Sequence, residues 1–232
     1  MLTSSLAGGE TTATTLASLL FYLSHNPTAY QKLSSEIRST FSSGRDISNG
    51  PTLNGCKYLR ACIDEALRVS TPATGTLWRQ QARDDPKPLY IDGHLIPRGT
   101  HFATSTYHIH HNPDYFPDPY AYRPERWLPD ESDAERRRLM AAAFAPFSLG
   151  YRNCPGKPMA YMEVSLVMAK TIFYFDFERA PGAVGRVGEG TPGDENGRER
   201  PDEFQLEDRF TATHQGPNLV FHPRGEYWKE LE

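Results

Sequence analysis

The chain has few cysteines, no excess of basic charge and no internal repeats. Its 232 residues include three cysteines, an odd and low number that argues against a fold built on disulfides. A formal net charge of −4 gives no global basic field, so we expect no nucleic-acid partner. Aromatic residues at 12% and charged residues at 23% are typical of a globular protein. The length allows one large domain or two small ones.

The chain also lacks a clear targeting or membrane-spanning segment. Residues 2–23 are largely apolar but contain Glu10 and a run of threonines, and no basic stretch precedes them. They make a poor signal peptide, and a buried glutamate makes them a poor membrane span. We expect a buried helix that begins abruptly, no membrane anchor in this chain, and a natural protein that starts earlier than Met1.

Hydrophobic periodicity predicts a mainly helical protein with a small β-sheet component, an α+β fold. The predicted helices are Leu2–Ser24, Pro27–Phe41, Cys56–Val69, Glu131–Ala143 and Met159–Phe175. Short strands are predicted at Thr76–Arg79, Leu89–Ile91, His94–Ile96, His101–Thr104, Phe204–Thr213 and Asn218–His222, with a hairpin turn at Asp92-Gly93. Residues 112–130 are predicted to form an ordered, irregular meander. The Gly- and charge-rich residues 182–202 are predicted to form a mobile loop.

One cysteine lies in a pattern that predicts a metal ligand. A lone cysteine is usually a small buried hydrophobe. Residues 147–156, FSLGYRNCPG, instead match F-x-x-G-x-R-x-C-x-G, which roughly one random start position in a million would do. Zinc is disfavoured because Cys56 and Cys62 form no ligand knuckle with Cys154. A single thiolate before a helix N-terminus suits a haem iron.

The loop resembles the haem-binding loop of the cytochrome P-450 superfamily of haem-thiolate monooxygenases. Three more segments resemble that family's motifs, in its order. AGGETT at 7–12 is similar to the oxygen-activation motif of the family's helix I, EALR at 65–68 to the E-x-x-R of its helix K, and PERW at 124–127 to its P-E-R-F/W element. The resemblance implies that residues 1–232 are a partial P-450 domain, the C-terminal half from helix I onward. Pro155 and Pro158 resemble variants of fungal members.

The resemblance also implies how haem is held. Cys154 would be the axial ligand of the haem iron, at a loop bounded by Gly156. Arg152 and Arg79 are candidate partners of the haem propionates, because guanidinium matches carboxylate in two-point geometry; a solvated surface arginine is the alternative for Arg79. Phe147 is expected to pack beside the thiolate and exclude water.

Glu10 and Thr11 are the catalytic candidates that the resemblance implies, an acid and an alcohol that relay protons to bound oxygen. Thr12 has the plainer roles of capping or packing. Gly8 and Gly9 would widen the helix locally to admit O₂ and water. A close contact between two helices is the competing explanation for two glycines inside a helix.

Glu65 and Arg68 are three residues apart on a predicted helix and therefore share a face. As an exposed pair they would contribute about 0–1 kcal/mol. The resemblance implies instead a buried network with Arg126 that supports the cysteine loop. Breaking one member of such a network costs about 3–5 kcal/mol.

The function implied by the resemblance is insertion of one oxygen atom of O₂ into a lipophilic organic substrate. Electrons would come from NADPH through a reductase, with Lys157 as a candidate docking residue, and a full-length parent would be anchored to the endoplasmic reticulum membrane. The alternative is a truncated, non-catalytic fragment that at most binds haem or a partner. The segments expected to face substrate are Ala7–Gly8, Ala73–Leu77 and Thr211–Thr213.

Three histidines, His108, His110 and His111, lie close together in the sequence before the meander. Their spacing matches no standard zinc pattern, so we assign them to the ordered segment rather than to a metal site.

Overall fold

The computed structural model describes residues 2–129 and 133–232. The described part leaves out residues 130–132, which are the end of the predicted meander and the start of the predicted helix Glu131–Ala143. It also leaves out the side chain of Ala7. Helices dominate, as predicted: α1 Leu2–His25, α2 Pro27–Thr40, α3 Pro51–Asn54, α4 Lys57–Val69, α5 Thr106–His110, α6 Ala134–Ala143 and α7 Lys157–Tyr174. The short helices α3 and α5 are the two that the periodicity did not reveal.

Strands are short and pair locally. In the described residues the strands form four separate antiparallel pairs, which make up the small β component that we predicted. The pairs are β1 (Arg79–Gln80) with β4 (His101–Phe102), β2 (Leu89–Ile91) with β3 (His94–Ile96), β5 (Phe175–Arg179) with β8 (Leu219–Pro223), and β6 (Leu206–Glu207) with β7 (Thr213–His214).

Three strand predictions were wrong in extent, the first being His101–Thr104, whose strand ends at Phe102. Thr76–Trp78 is not a strand, because only Arg79 and Gln80 find partners in β4. Phe204–Thr213 is not one strand but a hairpin, whose connection includes Phe210 with a φ of 72°. A residue with positive φ interrupts an extended run, so the chain reverses there and pairs with itself.

The orientation of α4 is fixed at its N-terminus by a side chain from α2. Cys56 precedes α4 but provides no side-chain cap. The Glu36 carboxylate accepts hydrogen bonds from the backbone N–H groups of Tyr58 (2.9 Å) and Leu59 (2.8 Å). A carboxylate satisfies the orphan N–H groups of a helix start and interacts favourably with its dipole. The cap therefore ties α2 to α4.

The core lies between α1, α2, α4 and α7. Leu19, Leu33, Ile63 and Ile172 represent the four helices in it, and all four are fully buried. The amphipathic face predicted for α4 is buried, and two charged residues of the same helix, Glu65 and Arg68, are buried as well. No helix within residues 2–129 and 133–232 is long and apolar enough to cross a membrane.

Candidate cofactor site

Cys154 lies on the loop between α6 and α7. Its backbone N–H donates to the Phe147 carbonyl at 2.8 Å, and the N–H of Asn153 donates to the carbonyl of Gly150 at 3.1 Å. Ser148 and Gly150 both have positive φ, 60° and 73°, which lets the loop reverse direction between these bonds. The loop is thus closed by its own backbone, and Cys154 is exposed at its end.

The surroundings of the Cys154 thiol fit an axial ligand of haem. The sulfur makes no hydrogen bond with the described residues and is free of any disulfide. A Cβ atom at Gly156 would lie 3.6 Å from Sγ, so glycine keeps that side of the sulfur clear. Within the described ranges, no three His, Cys, Asp or Glu residues cluster as a metal site. The donor set is a single accessible thiol, the arrangement that haem-thiolate ligation requires.

Glu65, Arg68 and Arg126 are brought together in a buried network. Arg68 donates to both carboxylate oxygens of Glu65, at 2.8 and 3.0 Å, and Arg126 Nε donates to Glu65 Oε1 at 2.9 Å. The Glu65 and Arg68 side chains have no exposed surface, and that of Arg126 is 4% exposed. The alternative of an exposed surface pair therefore does not apply.

The Glu65 carboxylate also accepts hydrogen bonds from two residues of the meander. Trp127 Nε1 and the Arg123 backbone N–H also donate to Glu65, at 2.9 and 3.0 Å. Burial alone would raise the pKa of Glu65, but Arg68, followed by Arg126, outweighs burial and lowers it. Glu65 is therefore a carboxylate with a nearly complete set of donors, which a buried charge needs.

His110 connects this network to the start of the cysteine loop. Its backbone carbonyl accepts from Arg68 Nη1 at 2.7 Å, and its Nε2 accepts from the backbone N–H of Ala145 at 3.0 Å. Burial, then the positive charge of Arg68, lowers the pKa of His110 to about 3. We assigned His110 only to an ordered segment. Sequence spacing could not reveal its role, since Ala145 is 35 positions away.

Phe147 is half-buried inside the loop. Its ring centroid lies 5.2 Å from that of Tyr161 on α7, and Lys157 Nζ lies 5.7 Å from the Phe147 ring. The ring therefore anchors the loop on the first turns of α7, and Lys157 stands beside it.

Arg152 and Arg79, the two candidate partners of the haem propionates, are not part of the network formed by Glu65, Arg68 and Arg126. Arg152 is exposed and makes no hydrogen bond with the described residues. Arg79 Nη1 donates to the carbonyls of Leu77 (3.4 Å) and Trp78 (3.2 Å), so its guanidinium folds back on its own strand. Neither residue is held by another side chain in the described part of the protein.

The acid of the predicted proton relay is held by an unexpected partner. Glu10 Oε2 accepts a hydrogen bond from Thr211 Oγ1 at 2.5 Å, which joins α1 to the β6–β7 hairpin. Ala212 extends the junction, because its N–H donates to Pro72 (2.7 Å) and its carbonyl accepts from Thr14 (3.3 Å). Pro72 directly precedes Ala73–Leu77, so this segment and Thr211–Thr213, both predicted to face substrate, approach each other beside α1.

Gly8 and Gly9 face open space. A Cβ atom built at either position would meet nothing within 4 Å in the described structure. The described structure therefore shows neither a close helix contact at these glycines nor the predicted local widening, because α1 is a continuous α-helix from Leu2 to His25.

The fold and the site together define a class of protein: a mainly helical domain that presents an exposed cysteine on a loop, with a buried Glu–Arg network behind that loop. Comparison with known proteins agrees with that class. The cytochrome P450 family model matches residues 1–187. The chain belongs to the cytochrome P450 family.

Several relatives carry the name cytochrome P450 monooxygenase and come from fungi. One from Gibberella zeae is 42% identical over 219 residues, which cover 94% of this chain and 49% of that protein. Cytochrome P450 monooxygenase AKT7 of Alternaria alternata is 43% identical, with 93% of this chain and 42% of that protein covered. Cytochrome P450 monooxygenase apf8 of Gibberella fujikuroi is 43% identical, with 94% and 58% covered. The chain spans about half the length of the relatives it matches.

Proposed function

We propose that this chain is the haem-binding part of a haem-thiolate monooxygenase, with Cys154 as the axial ligand of the iron. The observation that carries the proposal is the accessible Cys154 thiol on a loop closed by the Phe147 carbonyl. Haem, when bound, supplies the activation of O₂ that lets one oxygen atom enter an organic substrate. The residues of the chain hold it, exclude water from it and deliver protons.

The roles of the other site residues follow from their positions. Glu65, Arg68 and Arg126 fix the meander that precedes the loop, and Phe147 shields the sulfur. Among the described residues, no side chain competes for Arg152 or Arg79, so either guanidinium is available for a propionate. Gly156 leaves space at the sulfur.

Glu10 is the proton donor in this proposal. Thr211 orients the Glu10 carboxyl group. Thr11 would pass the proton onward toward the side of the site where haem would supply its chemistry with O₂. The small, mildly apolar segments that meet beside α1 suit a lipophilic substrate. Electrons come from NADPH through a reductase, for which Lys157 offers a positive charge beside the cysteine loop, and the full-length protein is held at the endoplasmic reticulum membrane.

A carbon monoxide difference spectrum tests the ligand. The chain is expressed with haem supplied, reduced and exposed to carbon monoxide, with Cys154→Ala alongside. A strongly red-shifted Soret band that the mutant lacks is expected. A band at the position of a neutral ligand, or one that survives in Cys154→Ala, would overturn the assignment of Cys154.

The second candidate function is a non-catalytic fragment that at most binds haem or a partner. One observation favours it: the side chains of Trp78, Tyr151 and Phe210 are largely exposed. Substrate-dependent consumption of NADPH with product formation, in the presence of a reductase, separates the two functions. Haem binding without turnover would support the non-catalytic fragment over the monooxygenase.

A further inference from the structure

Tyr161 on α7 packs its ring against Phe147 of the cysteine loop. Its ring centroid lies 5.2 Å from that of Phe147, at an interplanar angle of 46°. The Tyr161 side chain is almost fully buried, with 9% of the residue exposed. Aromatic pairs at this distance stabilise a structure beyond the area that they bury. The contact holds the Phe147 ring against the helix.

The position of Tyr161 is itself fixed from two directions. Its hydroxyl donates to Asp64 Oδ1 at 2.6 Å, and Asp64 Oδ2 accepts from Arg60 Nε at 2.9 Å. The Arg60 guanidinium carbon lies 3.5 Å from the centre of the Tyr161 ring. Burial, followed by the charge of Asp64, raises the pKa of Tyr161, so its hydroxyl stays a neutral donor. The position of the Tyr161 side chain is therefore fixed at its hydroxyl oxygen and at one face of its ring.

Asp64 directly precedes Glu65 on α4, so one helix braces the loop through two separate routes. The first route leads from Glu65 through Arg68 and His110 to Ala145, which precedes the cysteine loop. Asp64 acts inside the loop, through Tyr161 to Phe147, whose carbonyl accepts the Cys154 N–H at 2.8 Å.

We propose that Tyr161, anchored by Asp64, is a positioning residue that holds the Cys154 loop in the geometry needed for a thiolate ligand. The inference rests on the proposed function of Cys154. Tyr161 does not touch the reacting atoms. It fixes the Phe147 ring, and with it the carbonyl that bonds to the Cys154 N–H. Loss of the anchor lets this hydrogen bond open more often.

Hydrogen exchange of the Cys154 amide in the haem-free full chain tests the first half of the proposal. Tyr161→Phe and Asp64→Asn keep the ring and the shape but weaken the anchor. We expect each to accelerate exchange of this amide about five- to tenfold, as the loss of about 1–1.4 kcal/mol implies.

Tyr30→Phe is the matched control. Tyr30 donates its hydroxyl to Asp176 at 2.8 Å and is also partly buried, so this variant loses the same type of bond in another part of the core. It is expected to leave exchange at Cys154 unchanged. Unaltered exchange in both Tyr161→Phe and Asp64→Asn, or equal acceleration in Tyr30→Phe, would overturn the proposal.

The haem-loaded chain tests the second half. The pH is lowered on the reduced carbon monoxide form until the thiolate band converts to that of a neutral ligand. Tyr161→Phe and Asp64→Asn are expected to convert at a higher pH than the unmodified chain and Tyr30→Phe. Identical midpoints in all four proteins would contradict a positioning role. If the unmodified chain gives no band that depends on Cys154, the proposed function fails. The exchange measurement needs no haem and therefore tests the role of Tyr161 separately.

Discussion

His110 accepts a hydrogen bond from the backbone N–H of Ala145 through Nε2, at 3.0 Å. Its Nδ1 lies 3.1 Å from the Arg68 carbonyl, which can only accept, so the neutral ring carries its proton on Nδ1. A second proton on Nε2 would abolish the bond to Ala145. The junction between the Glu65 network and the cysteine loop therefore depends on a neutral histidine.

Acidification should loosen this junction. Because the pKa of His110 falls from 6.5 to about 3 on folding, the unfolded chain binds more protons between these values. His110 therefore contributes stability that is present above pH 6.5 and is lost as the pH falls, at up to about 1.4 kcal/mol per pH unit. His111, whose pKa burial lowers to about 4, acts in the same direction.

Urea unfolding of His110→Gln at two pH values measures this dependence. At pH 7 we expect the variant to be less stable by about 1–3 kcal/mol, because the Ala145 N–H loses a well-placed acceptor. At pH 5 the difference should shrink by about 2 kcal/mol, since glutamine does not titrate. His222→Gln, which replaces an exposed histidine, is the control variant. A constant difference between His110→Gln and the unmodified chain would contradict the prediction.

Glu65→Gln should destabilise the protein severely. The substitution leaves the charges of Arg68 and Arg126 buried without their counter-ion, a loss of about 3–5 kcal/mol in the free energy of unfolding. Glu178→Gln, which removes a carboxylate from an exposed pair with His222, should change stability little. Similar unfolding midpoints for both variants in urea would show that the buried network is not what stabilises this region.

Thiol labelling should single out Cys154. Cys56 and Cys62 are buried, and burial raises the pKa of both thiols, so neither should react until the fold opens. We expect one thiol to react in the native chain, about a thousandfold faster or more than the other two. Bound haem should protect it, and Cys154→Ala should remove the fast phase. A fast phase that persists in Cys154→Ala would contradict this.

Glu10→Gln should slow turnover without altering ligation. If Glu10 delivers protons, removing the acid should lower the rate of product formation about a hundredfold, while the carbon monoxide spectrum stays unchanged. Thr211→Val, which removes the hydroxyl that orients Glu10, should have a smaller effect in the same direction. Thr12→Val is the matched control on α1. Equal activity of Glu10→Gln and Thr12→Val would exclude the relay through Glu10.

The sequence predicted the helices well because each long helix carries its own signals. Pro27 begins α2, and the apolar spacing from Leu59 to Leu67 gives the buried face of α4. Short strands were less predictable, since a two-residue strand such as β1 exists only where β4 provides its partner. The hairpin around Phe210 has the same cause: its pairing lies across the turn, outside any local pattern.

The sequence by itself determined the family, the mainly helical fold and the cysteine at the candidate site, because local motifs carry that information: the loop pattern around Cys154, E-x-x-R and P-E-R-W. Only the tertiary structure decided which side chains brace that loop. Ala145 with His110, Tyr161 with Asp64 and Thr211 with Glu10 are separated by 35, 97 and 201 positions. Such contacts leave no periodicity in the sequence and arise only when the packed helices bring distant backbone and side chains within hydrogen-bonding distance.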